Sequence, residues 1–595
     1  MSTYKSQTDA DEAIGQRLTD PENAGSGAPS PEILAWIQRE AESTGERIVF
    51  LLGVPAAPTL LSLLRELPEN ARFFLLERDT ALAQRILSDP LIGPQISSGR
   101  LIPALGQDEK GIESRFFQFL DVKRAPEFKF FDPGTTAQDD MDFYVRILRE
   151  FCKAARLDLF NAGTLVCRGP LWQFNTIVNI PSLVTHPGVG ALQGIFRGKP
   201  AMVVGAGPSL DESVQALASV RDGFVVISTA TALRALRTAG IAPDLVVAVD
   251  ASHLTAPQFE TRCDDLYLAC SSLAFSPALL KFRGLFSGSL DANPIDSWLD
   301  SITTQRGMLF AGGTVTASAI DLAVKMGCSP VVTIGLDLSF TDDGFTHASH
   351  TMYHGHRLNP EQLMRVPGNG REWVLTTQQF NCYIELIEEY IEHHPGIPFI
   401  NANHGGARIR GMKVISPSGI GCLSASPFDA AAIIQRIHSA YEPPASAVAS
   451  VRAELETVLH QLDGIMSDVR RGAMICNQMI MILRAPQRGD DTAVHSALQE
   501  LDDIDAQLAA ARESGVFLRM SLWPASYQAG VRRAEHEEHY TDLMLAIRRS
   551  RELYEQIAGS ARWTREALNR VLGQIPTTTD VESHSILPAL ETQNV

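Results

Sequence analysis

Ala201-Met202-Val203-Val204-Gly205-Ala206-Gly207-Pro208-Ser209-Leu210-Asp211-Glu212-Ser213-Val214 joins a short apolar run to a helical pattern through a glycine bend. A run that ends where Gly205 and Gly207 free the backbone to turn predicts a buried strand feeding straight into a helix. Working outward, the same grammar repeats. FVVIS (224–228), LVVAVD (245–250), LYLACSS (266–272), GMLFAG (307–312), VVTIGLD (331–337) and PFINAN (398–403) are apolar runs closed by Gly, Ser, Asp or Asn. Helical patterns such as DESVQALASV, TALRALRTAG, TASAIDLAVKMG and QFNCYIELIEEYIEHH lie between them. With AMVVG (201–205) these seven runs predict an open, doubly wound, mostly parallel sheet buried on both faces, a Rossmann-like α/β fold. Ligands of such sheets bind beyond the carboxyl ends of the strands, so chemistry is sought in the polar residues that follow each run.

On the N-terminal side, RIVFLLG (47–53), TLLSLLREL (59–67) and ARFFLLERD (71–79) read as strand, helix and strand, a second parallel βαβ unit, preceded by an amphipathic stretch at EILAWIQREA (32–41). Glu77 closes its second strand 24 residues after Gly53, near the place where Rossmann-like folds put a ribose-binding acid. The intervening turn, Gly53-Val54-Pro55-Ala56-Ala57-Pro58, has two prolines and offers few N–H donors to a phosphate. This unit reads as a degenerate nucleotide fold without a ligand. On the C-terminal side, Val448, Val451, Leu455, Val458, Leu459, Leu462, Ile465, Met466 and Val469 recur at helical spacing, and helical patterns continue to Leu572 with no β-run. The expected organisation is a polar lead-in (1–30), an N-terminal Rossmann-like domain (31–165), a central catalytic domain (166–440), an all-helical domain (441–574) and a flexible tail (575–595).

The 595 residues carry 51 Lys and Arg against 69 Asp and Glu, a formal net charge of −18, which argues against general nucleic-acid or anionic-membrane partners. The N-terminus MSTYKSQTDADEAIGQRLTD has no apolar core of the signal-peptide kind, and no apolar run reaches membrane-spanning length. None of the eight cysteines forms a C-x-x-C pair. A cytoplasmic protein with free, buried thiols is expected.

The candidate chemistry gathers at strand ends. In Gly205-Ala206-Gly207-Pro208-Ser209 the glycines admit close backbone approach, Ser209 offers a hydroxyl, and the following helix N-terminus favours an anion. Leu210 occupies the third glycine position of the dinucleotide fingerprint and Pro208 lacks an N–H, so a single phosphate suits the turn better than a pyrophosphate. A tight turn with a helix cap is the alternative reading. Asp250 and Asp337, each at a strand end, suit a sugar hydroxyl or a metal, and Gly312-Gly313-Thr314 offers a second anion-binding turn. Seven of the 15 histidines lie between 347 and 404. Among them His347 and His354 could take a proton from an acceptor hydroxyl. Without a Cys or carboxylate pattern beside them, no metal set is assigned. His393 and His394 end a helix and are expected to meet its C-terminal carbonyls.

GAGPSLD, within the stretch NIPSLVTHPGVGALQGIFRGKPAMVVGAGPSLDESV that begins at Asn179, together with GLDLSFTDDGFTHASH (335–350) and NANHGGARIRG (401–411), resembles the motility-associated factor (Maf) glycosyltransferases. The likeness runs over roughly 45–420. The central domain also resembles the family 42 sialyltransferases and the MptE-like 6-hydroxymethylpterin pyrophosphokinases. The Maf resemblance implies transfer of a nonulosonic acid, pseudaminic or legionaminic, from a CMP-activated donor to Ser or Thr of flagellin, with no obligatory cofactor. It implies that Gly205, Ala206, Gly207, Pro208 and Ser209 hold the phosphate, while Asp250, Gly312, Gly313 and Thr314 frame the nucleotide. Asp337 joins the catalytic set, and His347 is the implied base with His354 its rival. The kinase resemblance implies instead ATP and Mg²⁺ on paired carboxylates such as Asp250 and Asp337. A non-catalytic flagellin-binding protein is the third reading.

Overall fold

A computed structural model of the chain describes residues 18–19, 47–55, 57–67, 71–81, 84, 88, 90–106, 111–112, 127–132, 138–290, 293–310, 313–403, 405–484, 491–514, 516–518 and 543–575. They fall into two compact units that divide between Cys167 and Arg168.

In the first unit, β1 (Leu18–Thr19), β2 (Arg47–Leu52), β3 (Ala71–Glu77), β4 (Leu101–Leu105) and β5 (Glu127–Asp132) form a parallel sheet of order β1-β5-β2-β3-β4. Helix α1 (Ala57–Glu66) makes the β2–β3 crossover, as the βαβ reading expects. Val49 and Leu51 face one core and Ile48, Phe50 and Leu52 the other, the period-two alternation of a strand covered on both sides. Leu18 and Thr19 pair with Phe131 and Asp132, so this pair belongs to a sheet edge rather than to a structureless lead-in. The rest of 1–30 and the stretch 32–41 lie outside the described residues. Glu77 is buried, and its carboxylate accepts from the Val54 N–H at 3.1 Å and the Asp79 N–H at 2.8 Å. The acid at the ribose-binding place is engaged by its own turn.

Helix α2 (Gln138–Thr185) brings the chain into the second unit at Arg168. Its strands are β6 (Ala201–Val204), β7 (Val225–Thr229), β8 (Leu245–Ala248), β9 (Tyr267–Ser271), β10 (Gly284–Gly288), β11 (Val331–Ile334), β14 (Phe399–Asn401) and β15 (Lys413–Val414). They form one parallel sheet of order β10-β9-β8-β7-β6-β11-β14-β15; the hairpin β12 (Met364–Pro367) and β13 (Trp373–Thr376) stands apart from it. Helices α3 (Leu210–Ala218), α4 (Ala230–Thr238), α5 (Pro294–Ile302), α6 (Val315–Lys325) and α7 (Gln378–Glu392) lie between strands, and α8 (Ala430–Ser439) follows them. In β6, Ala201 and Val203 enter one core and Met202 and Val204 the opposite one, so both faces are covered.

The doubly wound fold is as expected, with one strand reassigned. The described part of GMLFAG, residues 307–310, is not a strand: Met308 is exposed and makes an isolated bridge to Ser289. The strand is Gly284-Leu285-Phe286-Ser287-Gly288, which pairs along its length with β9. Close packing requires its two glycines. A Cβ on Gly284 would lie 2.4 Å from His438 Nε2, and one on Gly288 2.4 Å from Leu309 Cγ.

Helices α9 (Ala445–Arg484), α10 (Asp491–Ser514) and α11 (Leu543–Leu572) follow. Val448, Val451, Leu455, Leu462, Ile465, Met466 and Val469 are buried, as their spacing predicts, and share a core with Ile547, Tyr554 and Leu568 of α11. The same core takes in Ile177, Ile180, Leu183 and Val184 of α2 and Ile295 and Leu299 of α5. Through this shared core the helical segment belongs to one compact unit with the sheet. Beyond Ile575 the tail lies outside the described residues. No described helix is long and apolar enough to cross a membrane. The six described cysteines are free, and four of them are buried.

Candidate functional site

The strand order locates the site. From β6 the chain steps outward through β7, β8, β9 and β10, then returns to lay β11 on the other side of β6. The sheet's winding therefore reverses between β6 and β11, and a crevice opens there beyond their carboxyl ends. The turn after β6 is Gly205–Ser209, and the turn after β11 is Gly335-Leu336-Asp337.

These turns are in backbone contact. The Gly207 N–H donates to Gly335 O at 2.8 Å, and a Cβ on Gly205 would lie 2.5 Å from Gly335 O. The nearest group to Gly207 is the Asp337 carboxylate, whose Oδ2 is 2.0 Å from where a Cβ would stand. That oxygen accepts from the Ser209 hydroxyl at 2.8 Å and the Ser209 N–H at 3.2 Å. The anion at the N-terminus of α3 is thus the protein's own. Asp337 is fully enclosed; burial pushes its carboxyl up to about 6 against the two Ser209 hydrogen bonds, with Glu212 and Asp211 adding to the rise. Next to it Leu338 takes a left-handed φ of 44°, unusual for a branched residue and characteristic of strained sites.

Two cavities adjoin. The smaller, about 130 Å³, is lined by Ala206, Gly207, Thr229, Thr231, Thr314, Thr316, Asp337, Thr346, His347 and Phe380 among others. The larger, about 210 Å³, takes Asp250, Gln258, Phe275, Gly313, Tyr353 and Tyr383 among its walls. Thr231, Thr314 and Val315 line both. That junction has the first residues of α4 and α6 for walls, and the Thr314 hydroxyl caps α6 by accepting from the Thr316 N–H at 3.4 Å. Among the described residues no lysine or arginine lines either cavity. Positive potential at the junction comes from helix N-termini and hydroxyl dipoles instead.

In the smaller cavity Thr346 Oγ1 and His347 Nδ1 are buried without a hydrogen-bond partner, an arrangement that a protein interior tolerates at few places. The His347 ring sits 4.9 Å from that of Tyr353. Burial pushes its imidazole down to about 4, with His356 adding a smaller push in the same direction, so the ring is neutral near pH 7. In the larger cavity Asp250 is exposed, and one of its oxygens accepts from the Ser252 N–H at 2.8 Å. Burial and the Asp250 charge both raise the phenols of Tyr353 and Tyr383.

Of the residues singled out from sequence, Ala206, Gly207, Asp337, Thr314 and His347 meet in the smaller cavity, and Asp250, Gly313 and Thr314 in the larger. Gly205, Pro208 and Ser209 line neither; they hold the turn, with Ser209 bonded to Asp337. His354 is exposed and lines neither cavity. Gly312 and His404 lie outside the described residues. His393 and His394 do donate through Nδ1 to the helix carbonyls of Glu389 and Tyr390, both at 2.7 Å. Asp250 and Asp337 line different cavities, and no group of three or more His, Cys, Asp or Glu among the described residues is arranged to hold a metal ion. Sequence reasoning missed Thr231 and Thr346, although TAT directly follows the FVVIS strand and Thr346 is next to His347. Tyr353, Tyr383 and Gln258 carried no local signal.

Fold and site are those of a doubly wound α/β domain, and residues 174–343 of it are similar to the family described as 6-hydroxymethylpterin diphosphokinase MptE-like. The chain as a whole has the fold of a Maf glycosyltransferase. It aligns with the solved MAf glycosyltransferase of Magnetospirillum magneticum AMB-1 at a TM-score of 0.52 and 14% identity, over 97% of this chain and 89% of that one. A protein of Treponema pallidum (strain Nichols), described as uncharacterized, is 28% identical over 88 residues, 15% of this chain; the match spans 40% of that relative's length.

Proposed function

We propose that the chain is a glycosyltransferase that moves a nonulosonic acid, pseudaminic or legionaminic, from a CMP-activated donor to Ser or Thr hydroxyls of flagellin. The observation that carries this reading is the pair of adjoining cavities at the switch point, joined through Thr231 and Thr314. A CMP-sugar has the same layout, a nucleoside and a sugar joined by one phosphodiester. The nucleoside fits the larger cavity, where Asp250 can accept from ribose hydroxyls and Tyr353 and Tyr383 present rings. The phosphodiester lies at the junction, which has the helix N-termini. This seat supersedes Ser209, whose donors are taken by Asp337.

When the glycosidic bond breaks, its electron pair leaves with the CMP phosphate and the sugar gains oxocarbenium character. The α4 and α6 N-termini and the threonine hydroxyls stabilise the departing phosphate. Neutral His347, with Nδ1 unpartnered, accepts the proton of the acceptor hydroxyl. No obligatory cofactor is assigned. The pterin kinase alternative calls for paired carboxylates, and Asp250 and Asp337 line different cavities.

The test is thermal melting of the full chain with CMP or ATP, each with and without Mg²⁺, followed by mass spectrometry of flagellin incubated with enzyme and CMP-nonulosonate. CMP should raise the melting temperature without Mg²⁺, by about 2.7 kcal/mol of linkage at a hundredfold excess over Kd. Flagellin should gain the sugar mass. Stabilisation by ATP only with Mg²⁺ would favour the kinase, and flagellin binding with no nucleotide effect the non-catalytic reading.

A further inference from the structure

Behind the larger cavity, α2 places two asparagines one turn apart on one face, Asn175 and Asn179, both almost completely buried. The Asn175 amide donates to Ala251 O at 2.8 Å and to Leu273 O at 3.0 Å. The Asn179 amide donates to Ser272 O and to Ala274 O, both at 2.8 Å. The four acceptors belong to the loops after β8 and β9. There the strands have ended and their carbonyls no longer have ladder partners. Those loops carry Asp250, Ala274 and Phe275 into the wall of the larger cavity, and the Phe275 N–H donates to Asp250 O at 3.0 Å.

The clamp is anchored from behind. Asn293 Nδ2 donates to Thr176 Oγ1 at 3.1 Å and to Ser272 Oγ at 3.0 Å, and the Ser272 hydroxyl donates to Asp296 at 2.6 Å. Gln173, on the same helix, donates to Thr564 of α11 at 2.8 Å. A polar spine thus runs from the helical segment through α2 to two loops that shape the cavity. Asn179 Oδ1 is buried without a partner, so this side chain is held by its donors alone. An apolar residue of equal size at either position would fill the space and leave two buried carbonyls unmet.

We infer that Asn175 and Asn179 are positioning residues: their four hydrogen bonds set the Asp250 and Phe275 loops at the spacing the nucleoside end of the donor requires. This rests on the CMP-donor reading above. It adds that donor affinity is controlled from α2, by residues that touch no substrate.

Asn175→Leu and Asn179→Leu keep size and remove the donors. Each should raise the KM for the CMP-sugar about tenfold, as expected for losing two buried hydrogen bonds, while kcat at saturating donor changes less than about threefold. Asn175→Gln, which keeps the donors on a longer stem, should recover part of the loss. Hydrogen exchange by mass spectrometry gives an independent reading. In either Leu variant, residues 249–256 and 271–276 should exchange faster while 205–209 keep the wild-type rate. Unchanged KM together with unchanged exchange overturns the inference, and so does loosening of all three segments alike, which would mark a general structural role. If the wild-type chain binds no CMP, the functional reading fails, and the exchange comparison still decides whether the clamp positions these loops.

Discussion

Replacing Asp337 with Asn should make the protein more stable at neutral pH, not less. The carboxyl ordinarily titrates near 3.8, and burial raises it to about 6 in the fold. Between these two values the folded chain binds more protons than the unfolded chain, so stability falls as pH rises through this window and is level above it. A displacement of that size corresponds to about 3 kcal/mol against the ionised form, at roughly 1.4 kcal/mol per pH unit. Asn carries no charge, and its oxygen still accepts from the Ser209 N–H and hydroxyl. Its amide nitrogen needs a partner in a site built for an acceptor, which offsets part of the gain. The expected net effect is about 1–2 kcal/mol in favour of Asp337→Asn at pH 7.5; near pH 4 and below, where the wild-type carboxyl becomes protonated in both states, only the amide cost remains and the variant should be about 1–2 kcal/mol the less stable. Urea denaturation of both chains at several pH values between 4 and 8 measures it. A variant less stable than wild type at pH 7.5 would refute the reasoning, because the carboxylate would then be an anchor and not a strained internal anion. A costly buried charge retained at a switch point points to use rather than to packing.

Further outcomes follow from the same geometry. Gly207→Ala should cost about 1–3 kcal/mol because its Cβ meets Asp337, whereas in an Asp337→Gly background the cost should largely vanish; a double-mutant cycle with no coupling contradicts the contact. His347→Ala should abolish transfer to flagellin yet leave CMP affinity within about twofold, since the ring lies in the sugar-side cavity; a fully active variant removes it as the base. In the same assay, His347 remains neutral well below pH 6.5, so kcat/KM should show no acid limb from this residue between pH 5 and 7.

Much of the candidate site was legible in the sequence together with the fold. The Gly205–Ser209 bend, Asp250, Asp337, Thr314 and His347 all follow apolar runs, and parallel topology carries strand ends to one edge. The role of Ser209 was misjudged because a hydroxyl at a helix N-terminus looks the same from sequence whether its acceptor is a phosphate or a carboxylate 128 residues away. His354 had the same standing as His347 on spacing alone, and only burial separates them. GLFSG and GMLFAG are both short apolar runs between glycines, and only pairing with β9 and close packing at Gly284 and Gly288 tell the strand from the loop.

By itself the sequence established the parallel doubly wound sheet, the degenerate first βαβ unit and the long C-terminal helices. Each is written in local periodicity, which burial of an apolar face enforces residue by residue. Tertiary structure alone decided that Asp337 closes on Ser209, that Thr231 and Thr314 join two cavities, and that Asn175 and Asn179 staple two loops from behind. These contacts join residues far apart in the chain, and their energies depend on distance in space, which no local pattern encodes.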